Sequence, residues 1–232
     1  MSFPEIQKDL KLRRKALWNR VDEIDARCGN SSTIRSDLPE PVKEIGRQAR
    51  EALERDPSSA LALYEEAASL GDPHAMVAAG WMYEYAIGTE RNSDKAYDYY
   101  HQAMGLGSWQ AVIYYARQMD RLGHRDICIS MLEDAVEVDH LGAYFWLAWF
   151  RYKYDPTRRT AASLRPLLDH AIGEGHPGAK WLLARLLVRG KYGFTRIGEG
   201  IRLIWDLNLD LRNEVDLKLR PQPGSGGSAS GS

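Results

Sequence analysis

Residues 65–75 read EEAASLGDPHA. The stretch joins an alanine-rich helix end to a Gly-Asp corner and a proline suited to the first turn of another helix. Related stretches return downstream as HQAMGLGSWQA (101–111), EDAVEVDHLGA (133–143) and DHAIGEGHPGA (169–179). A recurring corner of this kind is typical of stacked helix pairs, because the corner sets how each unit meets the next.

The spacing of two alanines defines the repeat. The first alanine of each copy is Ala67, Ala103, Ala135 or Ala171, at intervals of 36, 32 and 36 residues. The second alanine follows 8 residues later in every copy, as Ala75, Ala111, Ala143 and Ala179. Intervals of this length are typical of helical solenoids, and the length variation falls in the loop rather than in the corner.

Local signals predict two helices per unit, A after the corner and B after the loop. Apolar or small residues recur at helical spacing in helix A: Met76, Ala79, Gly80 and Tyr83, then Val112, Tyr115, Ala116 and Met119. Asp72 is the predicted N-cap of the first helix A, with Ser108 and Asp139 in the next two copies. Asn92 or Ser93 is the predicted cap of helix B.

The best-preserved unit reads AMVAAGWMY over residues 75–83, followed by Gly88, Lys95-Ala96, Tyr99-Tyr100 and Ala103. This order, with the Gly-Asp corner, resembles the Sel-one-like repeat (SLR) family, whose bacterial and eukaryotic members are related to the tetratricopeptide repeat. The resemblance covers about residues 58–207, although units two and three lack the loop glycine and the Lys-Ala pair. It implies a superhelical scaffold that binds other proteins and carries no catalytic repeat residue.

The expected fold is therefore all-α, a right-handed α/α superhelical solenoid of about four to five helix pairs with an N-terminal helix. We expect an amphipathic N-terminal helix at 1–28, a linker at 29–41, the repeat domain at 42–207 and a C-terminal cap at 208–220. Residues 221–232 end in GSGGSASGS, which is typical of a flexible linker or cloning tail.

The N-terminal helix has three interpretations. Its apolar stripe consists of Ile6, Leu10, Leu17, Val21 and Ile24. The helix would cap the first repeat, dock with a partner or a second copy, or lie on a membrane surface. Acidic residues after the basic first turns make the membrane interpretation the weakest.

The C-terminal stretch is ambiguous between two secondary structures. Leu207, Leu209 and Leu211 alternate as in a strand, whereas Leu203, Leu207, Leu211 and Val215 suit a helix. In either case, we expect the stretch to cover the open end of the solenoid.

Composition narrows the class of protein. A formal net charge of −1 argues against bulk capture of nucleic acid. The two cysteines, Cys28 and Cys128, are too few and too separated for a disulfide framework. The N-terminus has no apolar core of a signal peptide, and no apolar run is long enough to span a membrane. We therefore expect a cytoplasmic protein without membrane insertion.

No motif predicts catalysis, a metal or a cofactor. The triplet His124-Arg125-Asp126 lacks the downstream asparagine and phosphate loop of a kinase. The six histidines never fall at i, i+4, and no Cys-x2-Cys occurs, so a zinc site is not expected. The sequence therefore predicts a protein that is not an enzyme.

The predicted binding surface is the concave face of the solenoid. In the related tetratricopeptide superhelix this face is lined by helix A, and by analogy its non-core positions form the groove. They are Val77, Trp81, Glu84, Ile113, Arg117, Asp120, Phe145, Trp149, Tyr152, Trp181, Arg185 and Val188. Tryptophan, tyrosine and arginine are enriched among residues that dominate binding energy.

The leading functional hypothesis is a non-catalytic adaptor or regulatory scaffold that holds a partner protein or peptide in this groove. The alternative is an accessory subunit of an enzyme complex that contacts a polysaccharide or nucleic-acid polymer, with nucleic acid disfavoured by the net charge. A homodimer through the N-terminal helix is a further expectation.

Overall fold

The computed structural model describes residues 15–17, 20–21 and 38–219, with residues 212–219 as backbone only. Its helices are α1 (Glu40–Ala52), α2 (Pro57–Ser69), α3 (Pro73–Tyr85), α4 (Ser93–Gly105), α5 (Trp109–Arg121), α6 (Arg125–Glu137), α7 (Leu141–Tyr154), α8 (Arg158–Ser163), α9 (Arg165–Gly173), α10 (Pro177–Val188) and α11 (Ile197–Leu219), the last preceded by a 3-10 turn (Phe194–Arg196). Residues 15–17 and 20–21 are also helical. No strand occurs in these described ranges.

The helices stack in chain order. Each long helix packs on the next, and α5, α7 and α10 also contact one another in succession. The A helices are α3, α5, α7 and α10, and the B position that follows α7 is divided between α8 and α9. With α1/α2 in front and α11 behind, the array has five helix pairs. The all-α solenoid expected from the sequence is confirmed.

The four corners share one hydrogen-bonding pattern. In each corner, the N-cap N–H of the next helix donates to the carbonyl of the first repeat alanine: Asp72 to Ala67 (3.1 Å), Ser108 to Ala103 (3.1 Å), His140 to Ala135 (2.9 Å) and His176 to Ala171 (2.8 Å). The preceding residue has a positive φ: Gly71, Gly107, Asp139 and Gly175. Together these features form a Schellman motif, which ends one helix and begins the next within a single joint.

The predicted caps are confirmed at three positions. The Asp72 side chain accepts from the N–H groups of His74 and Ala75, Ser108 Oγ accepts from Ala111, and Asn92 accepts from Lys95. The cap predicted at Asp139 is wrong. Asp139 occupies the left-handed position that glycine fills in the other corners, and His140 is the N-cap.

The repeat alanines are buried, as their spacing suggests. All eight are at most 1% exposed, which allows neighbouring helices to approach closely. Gly80 serves the same purpose, because a Cβ there would lie 2.7 Å from the Tyr100 ring on α4. Seven of the eight predicted helix-A core positions are buried. Tyr115 is half-buried, and its hydroxyl lies 2.7 Å from that of Tyr97.

The core divides into two large apolar clusters. One involves α1 to α5, and the other extends from α5 to α10. Helix α5 belongs to both, because Ala111 and Tyr114 face the first cluster while Ile113 and Ala116 face the second. The continuous core therefore passes through α5.

The described residues of the N-terminal segment, 15–17 and 20–21, do not cap the first repeat. Its described apolar residues, Leu17 and Val21, are buried against the C-terminal units. The prediction that the N-terminal helix caps the first repeat is therefore wrong for Leu17 and Val21. Ile6, Leu10 and Ile24, the other members of the predicted stripe, lie outside the described residues, as do most of the predicted 29–41 linker and the whole 221–232 tail.

The C-terminal stretch is helical. Helix α11 continues from Ile197 to Leu219, so the strand interpretation is wrong and the predicted boundary at 207/208 falls inside one helix. Leu207 and Leu211 are its buried face. Within the described residues, no helix combines the length and apolar character needed to cross a bilayer.

Candidate protein-binding groove

Each predicted groove residue has a fixed offset from the second repeat alanine. The +2 row is Val77, Ile113, Phe145 and Trp181; the +6 row is Trp81, Arg117, Trp149 and Arg185; the +9 row is Glu84, Asp120, Tyr152 and Val188. The +2 row is mostly buried and the +6 row is half-buried, whereas burial varies within the +9 row.

The +2 row belongs mainly to the core. Val77 is 3% exposed, and Ile113 and Phe145 are fully buried. The prediction that these three line an accessible groove is therefore wrong. These side chains are enclosed because each A helix packs against helices on more than one side. Trp181 is half-buried and contacts two core clusters.

The +6 row is half-buried in all four units and holds aromatic and cationic side chains in alternation. Trp149 stacks on Trp181 with ring centroids 5.6 Å apart. The Arg185 guanidinium lies 4.4 Å from the Trp181 centroid, and that of Arg117 lies 4.5 Å from the Trp146 centroid. Arginine on an aromatic face is a favourable cation–π arrangement.

A fourth row lies one helical turn beyond the +6 row and was missed in the sequence analysis. At offset +10 stand Tyr85, Arg121, Lys153 and Arg189, all exposed. Residues four apart on a helix share a face, so extending the +6 row by one turn would have found them. We call the +6 and +10 rows together the aromatic–cationic ladder. Contacts within it include Arg117 Nη2 donating to Tyr85 Oη at 2.8 Å, and the tilted Trp81–Tyr85 pair.

Two open clefts lie along the ladder and share Trp149. The larger has a volume of about 670 Å³ and is lined by Glu84, Tyr85, Ala86, Arg91, Arg117, Asp120, Arg121, Trp146, Trp149 and Phe150. The smaller has a volume of about 180 Å³ and is lined by Trp149, Tyr152, Lys153, Leu182, Arg185, Leu186 and Arg189. Six of the twelve predicted groove residues therefore line a cleft.

Two predicted residues lie elsewhere. Trp81 packs on Tyr85 beside the larger cleft. Val188 lies next to α11, because a Cβ on Gly200 would come within 2.9 Å of Val188 Cγ2. Neither is part of the lining of the two clefts.

The two carboxylates of the +9 row hold ladder cations in place. Glu84 is 4% exposed, forms an ion pair with Arg121 and accepts from Tyr100 Oη at 2.8 Å. Burial, and then the charge of Glu84, raises the pKa of Tyr100, which therefore remains a hydrogen-bond donor.

Asp120 has the same arrangement one unit later. It accepts from Lys153 Nζ at 2.6 Å and from Tyr154 Oη at 2.7 Å. Burial and the hydrogen bond to Asp120 raise the pKa of Tyr154. Each acid thus pairs with one cation of the +10 row and also accepts a hydrogen bond from one tyrosine hydroxyl.

The clefts are strongly basic. Their lining has six cationic side chains against the two +9 carboxylates. This local excess contrasts with the formal net charge of −1 for the whole chain. A concave basic surface attracts anionic ligands electrostatically, and the half-buried aromatic residues supply apolar contact area.

The described residues offer no metal centre, since no three His, Cys, Asp or Glu side chains among them are grouped to hold an ion. Cys128 is fully buried, and burial raises the pKa of its thiol to about 11, so it is a poor nucleophile. The groove is therefore equipped for binding through charge and apolar contact.

Comparisons with known proteins agree with the repeat fold. The Sel1 repeat family model matches residues 47–72 and 73–108. A Sel1 repeat protein from Oxalobacter formigenes superposes with a TM-score of 0.54 at 16% identity, covering 77% of this chain and 74% of that one. The SLR-fold protein c5321, a protective antigen of uropathogenic Escherichia coli, superposes with a TM-score of 0.56 at 16% identity, covering 70% of this chain and 37% of that one.

No curated protein matches the sequence. Sel1 repeat proteins in general are scaffolds for protein interaction. The chain therefore contains Sel1 repeats and has the α/α solenoid fold of the proteins built from them.

Proposed function

We propose that the chain is a non-catalytic adaptor whose aromatic–cationic ladder binds an acidic segment of a partner protein. The observation that carries the proposal is the cleft lining, in which six cations face two carboxylates that are both already engaged. Charge complementarity fixes the register and speeds encounter, while the aromatic anchors supply the apolar contact.

Arginine is suited to this role. A guanidinium forms two parallel hydrogen bonds with a carboxylate, and stacking on a ring holds it in a fixed orientation. Arg185 lies over Trp181 and Arg117 over Trp146 in this way. The ladder therefore offers oriented cations to the side chains of aspartate and glutamate.

The state of the aromatic rings favours protein over nucleic acid. Binding of single strands depends on bases stacking on aromatic faces. Here Trp181 contacts both the Trp149 ring and the Arg185 guanidinium, and Arg117 lies over Trp146. These contacts occupy aromatic surface on which a base would otherwise stack.

Selection from a random peptide library displayed on phage tests the proposal. We expect the immobilised chain to enrich peptides that combine acidic and apolar residues. A double variant, Arg91→Glu/Arg189→Glu, should lose that enrichment because both arginines are exposed at the cleft edges. The matched control is Arg159→Glu/Arg202→Glu, which makes the same charge change at exposed positions outside both linings.

Two results would refute the proposal: selected peptides without acidic bias, or equal enrichment by the two double variants. Nucleic acid retained in place of peptide, with a steep decline as salt increases, would instead support the polymer-binding accessory subunit.

A further inference from the structure

Two described residues of the N-terminal segment lie against the C-terminal end of the groove. Leu17 is 4% exposed and packs with Leu207 and Leu211 on α11, next to Trp181. Val21, four residues later in the sequence, is fully buried in the larger core. An aliphatic pair at i, i+4 is how an amphipathic helix anchors itself in a groove.

The seat for this pair depends on a glycine. A Cβ on Gly178 would lie 3.0 Å from Val21 Cγ2 and equally close to Phe145 Cζ and His176 Cε1. The bare backbone at the start of α10 therefore allows Val21 to reach Phe145. We call this surface the N-terminal seat, and it consists of Phe145, His176, Gly178, Trp181, Leu207 and Leu211.

Trp181 of the seat is in direct contact with the ladder. Trp181 packs near Leu17 and also stacks on Trp149, which lines both clefts. Arg185 of the ladder lies over the same Trp181 ring. The occupant of the seat is thus directly adjacent to the bound segment proposed above.

We propose that the N-terminal segment is an exchangeable ligand held in cis, and that its release opens the seat to an amphipathic helix of a partner bound along the ladder. The predicted groove residues Phe145 and Trp181 then become available, which lengthens the apolar part of the groove. The inference rests on the groove being the binding surface, yet its test needs no acidic ligand.

The probe is a fluorescein-labelled peptide of residues 5–28, measured by fluorescence anisotropy. We expect it to bind the full chain carrying Leu17→Asp/Val21→Asp, whose own segment no longer fits an apolar seat. The unaltered chain should bind at least about tenfold more weakly, because a tethered segment competes at an effective concentration on the order of millimolar. Equal affinity for both chains overturns the inference. So does the absence of binding to Leu17→Asp/Val21→Asp when circular dichroism shows that this variant is folded.

A second variant works from the side of the seat. Gly178→Leu fills the position of Val21, whereas the control Gly173→Leu points into open space on α9. Trypsin should cleave after Arg20 faster in Gly178→Leu than in Gly173→Leu, and the labelled peptide should not bind Gly178→Leu. Unchanged cleavage after Arg20 overturns the inference even if the first variant fails to fold.

The two proposals fail separately. If the chain enriches acidic peptides but does not bind the 5–28 peptide, only the exchange of the N-terminal segment is refuted. If the chain binds the 5–28 peptide but shows no preference for acidic peptides, only the proposed function is refuted. A concentration-dependent dimer that forms on release of the segment is the outcome in which a second copy supplies the helix, and this also supports exchange.

Discussion

Two glycines in one corner should respond to alanine with opposite sign. Gly173 is the last residue of α9, and Gly175 lies two residues later with φ +83°. A Cβ at either position would meet no atom within 4 Å. Any difference between Gly173→Ala and Gly175→Ala therefore comes from backbone conformation alone.

The magnitudes follow from that difference. Alanine in a left-handed conformation destabilises the folded state by about 1–2 kcal/mol. Because alanine also restricts the unfolded chain, it stabilises the protein by about 0.4–1 kcal/mol. Gly175→Ala should therefore lower the free energy of unfolding by about 1 kcal/mol. Gly173 is helical, so alanine there should raise the free energy of unfolding by about 0.5–1 kcal/mol.

Thermal unfolding followed by circular dichroism tests this pair. With about 2–4 °C of Tm per kcal/mol in a chain of this size, the two variants should separate by roughly 4 °C. Hydrogen exchange at the His176 amide, which donates to the Ala171 carbonyl, gives a local measurement. Gly175→Ala alone should accelerate that exchange. Shifts of the same sign in both variants would refute the reasoning about the corner.

Three further predictions concern the groove and the core. Trp149→Ala/Arg185→Ala should retain helicity and abolish binding of the selected acidic peptides, as measured by circular dichroism and anisotropy; retained binding by the folded variant contradicts the ladder. Arg121→Ala leaves the buried Glu84 carboxylate without its ion pair, so urea unfolding should show a loss of about 2 kcal/mol, and combination with Glu84→Gln should recover part of it. Burial in the folded state raises the Cys128 thiol pKa from 9.0 to about 11, so the folded state favours the protonated thiol and the free energy of unfolding should fall as pH rises from 9 towards 11. Cys128→Ala should reduce that fall by up to about 2 kcal/mol. An unchanged dependence of stability on pH in the variant would contradict this role for Cys128.

The corners were predictable because their signals are local. Side-chain oxygens at Asp72, Asn92 and Ser108 identify the caps directly. The error at Asp139 arose because aspartate is common both as a cap and in the left-handed conformation. Alignment with the glycines of the other corners would have placed Asp139 correctly, since the eight-residue spacing puts it in their position.

The groove was less predictable because its depth depends on contacts between units. Helical periodicity places Ile113 and Arg117 on one face, but only the separation of neighbouring A helices decides that Ile113 is enclosed and Arg117 is not. The docking of Val21 near Gly178 joins distant parts of the chain, and no short-range pattern encodes such a contact.

The contact between Val21 and Gly178 also affects synthesis. Repeat arrays are built from neighbour contacts, so each unit can fold soon after it leaves the ribosome. The seat for Leu17 and Val21 is an exception, because it is completed by α10 and α11, which are translated long after the segment itself. Throughout that interval the aliphatic pair has no seat in its own chain. The nascent chain therefore presents an unsatisfied apolar segment to chaperones and to already finished copies, and the last helices to be made decide when it is withdrawn.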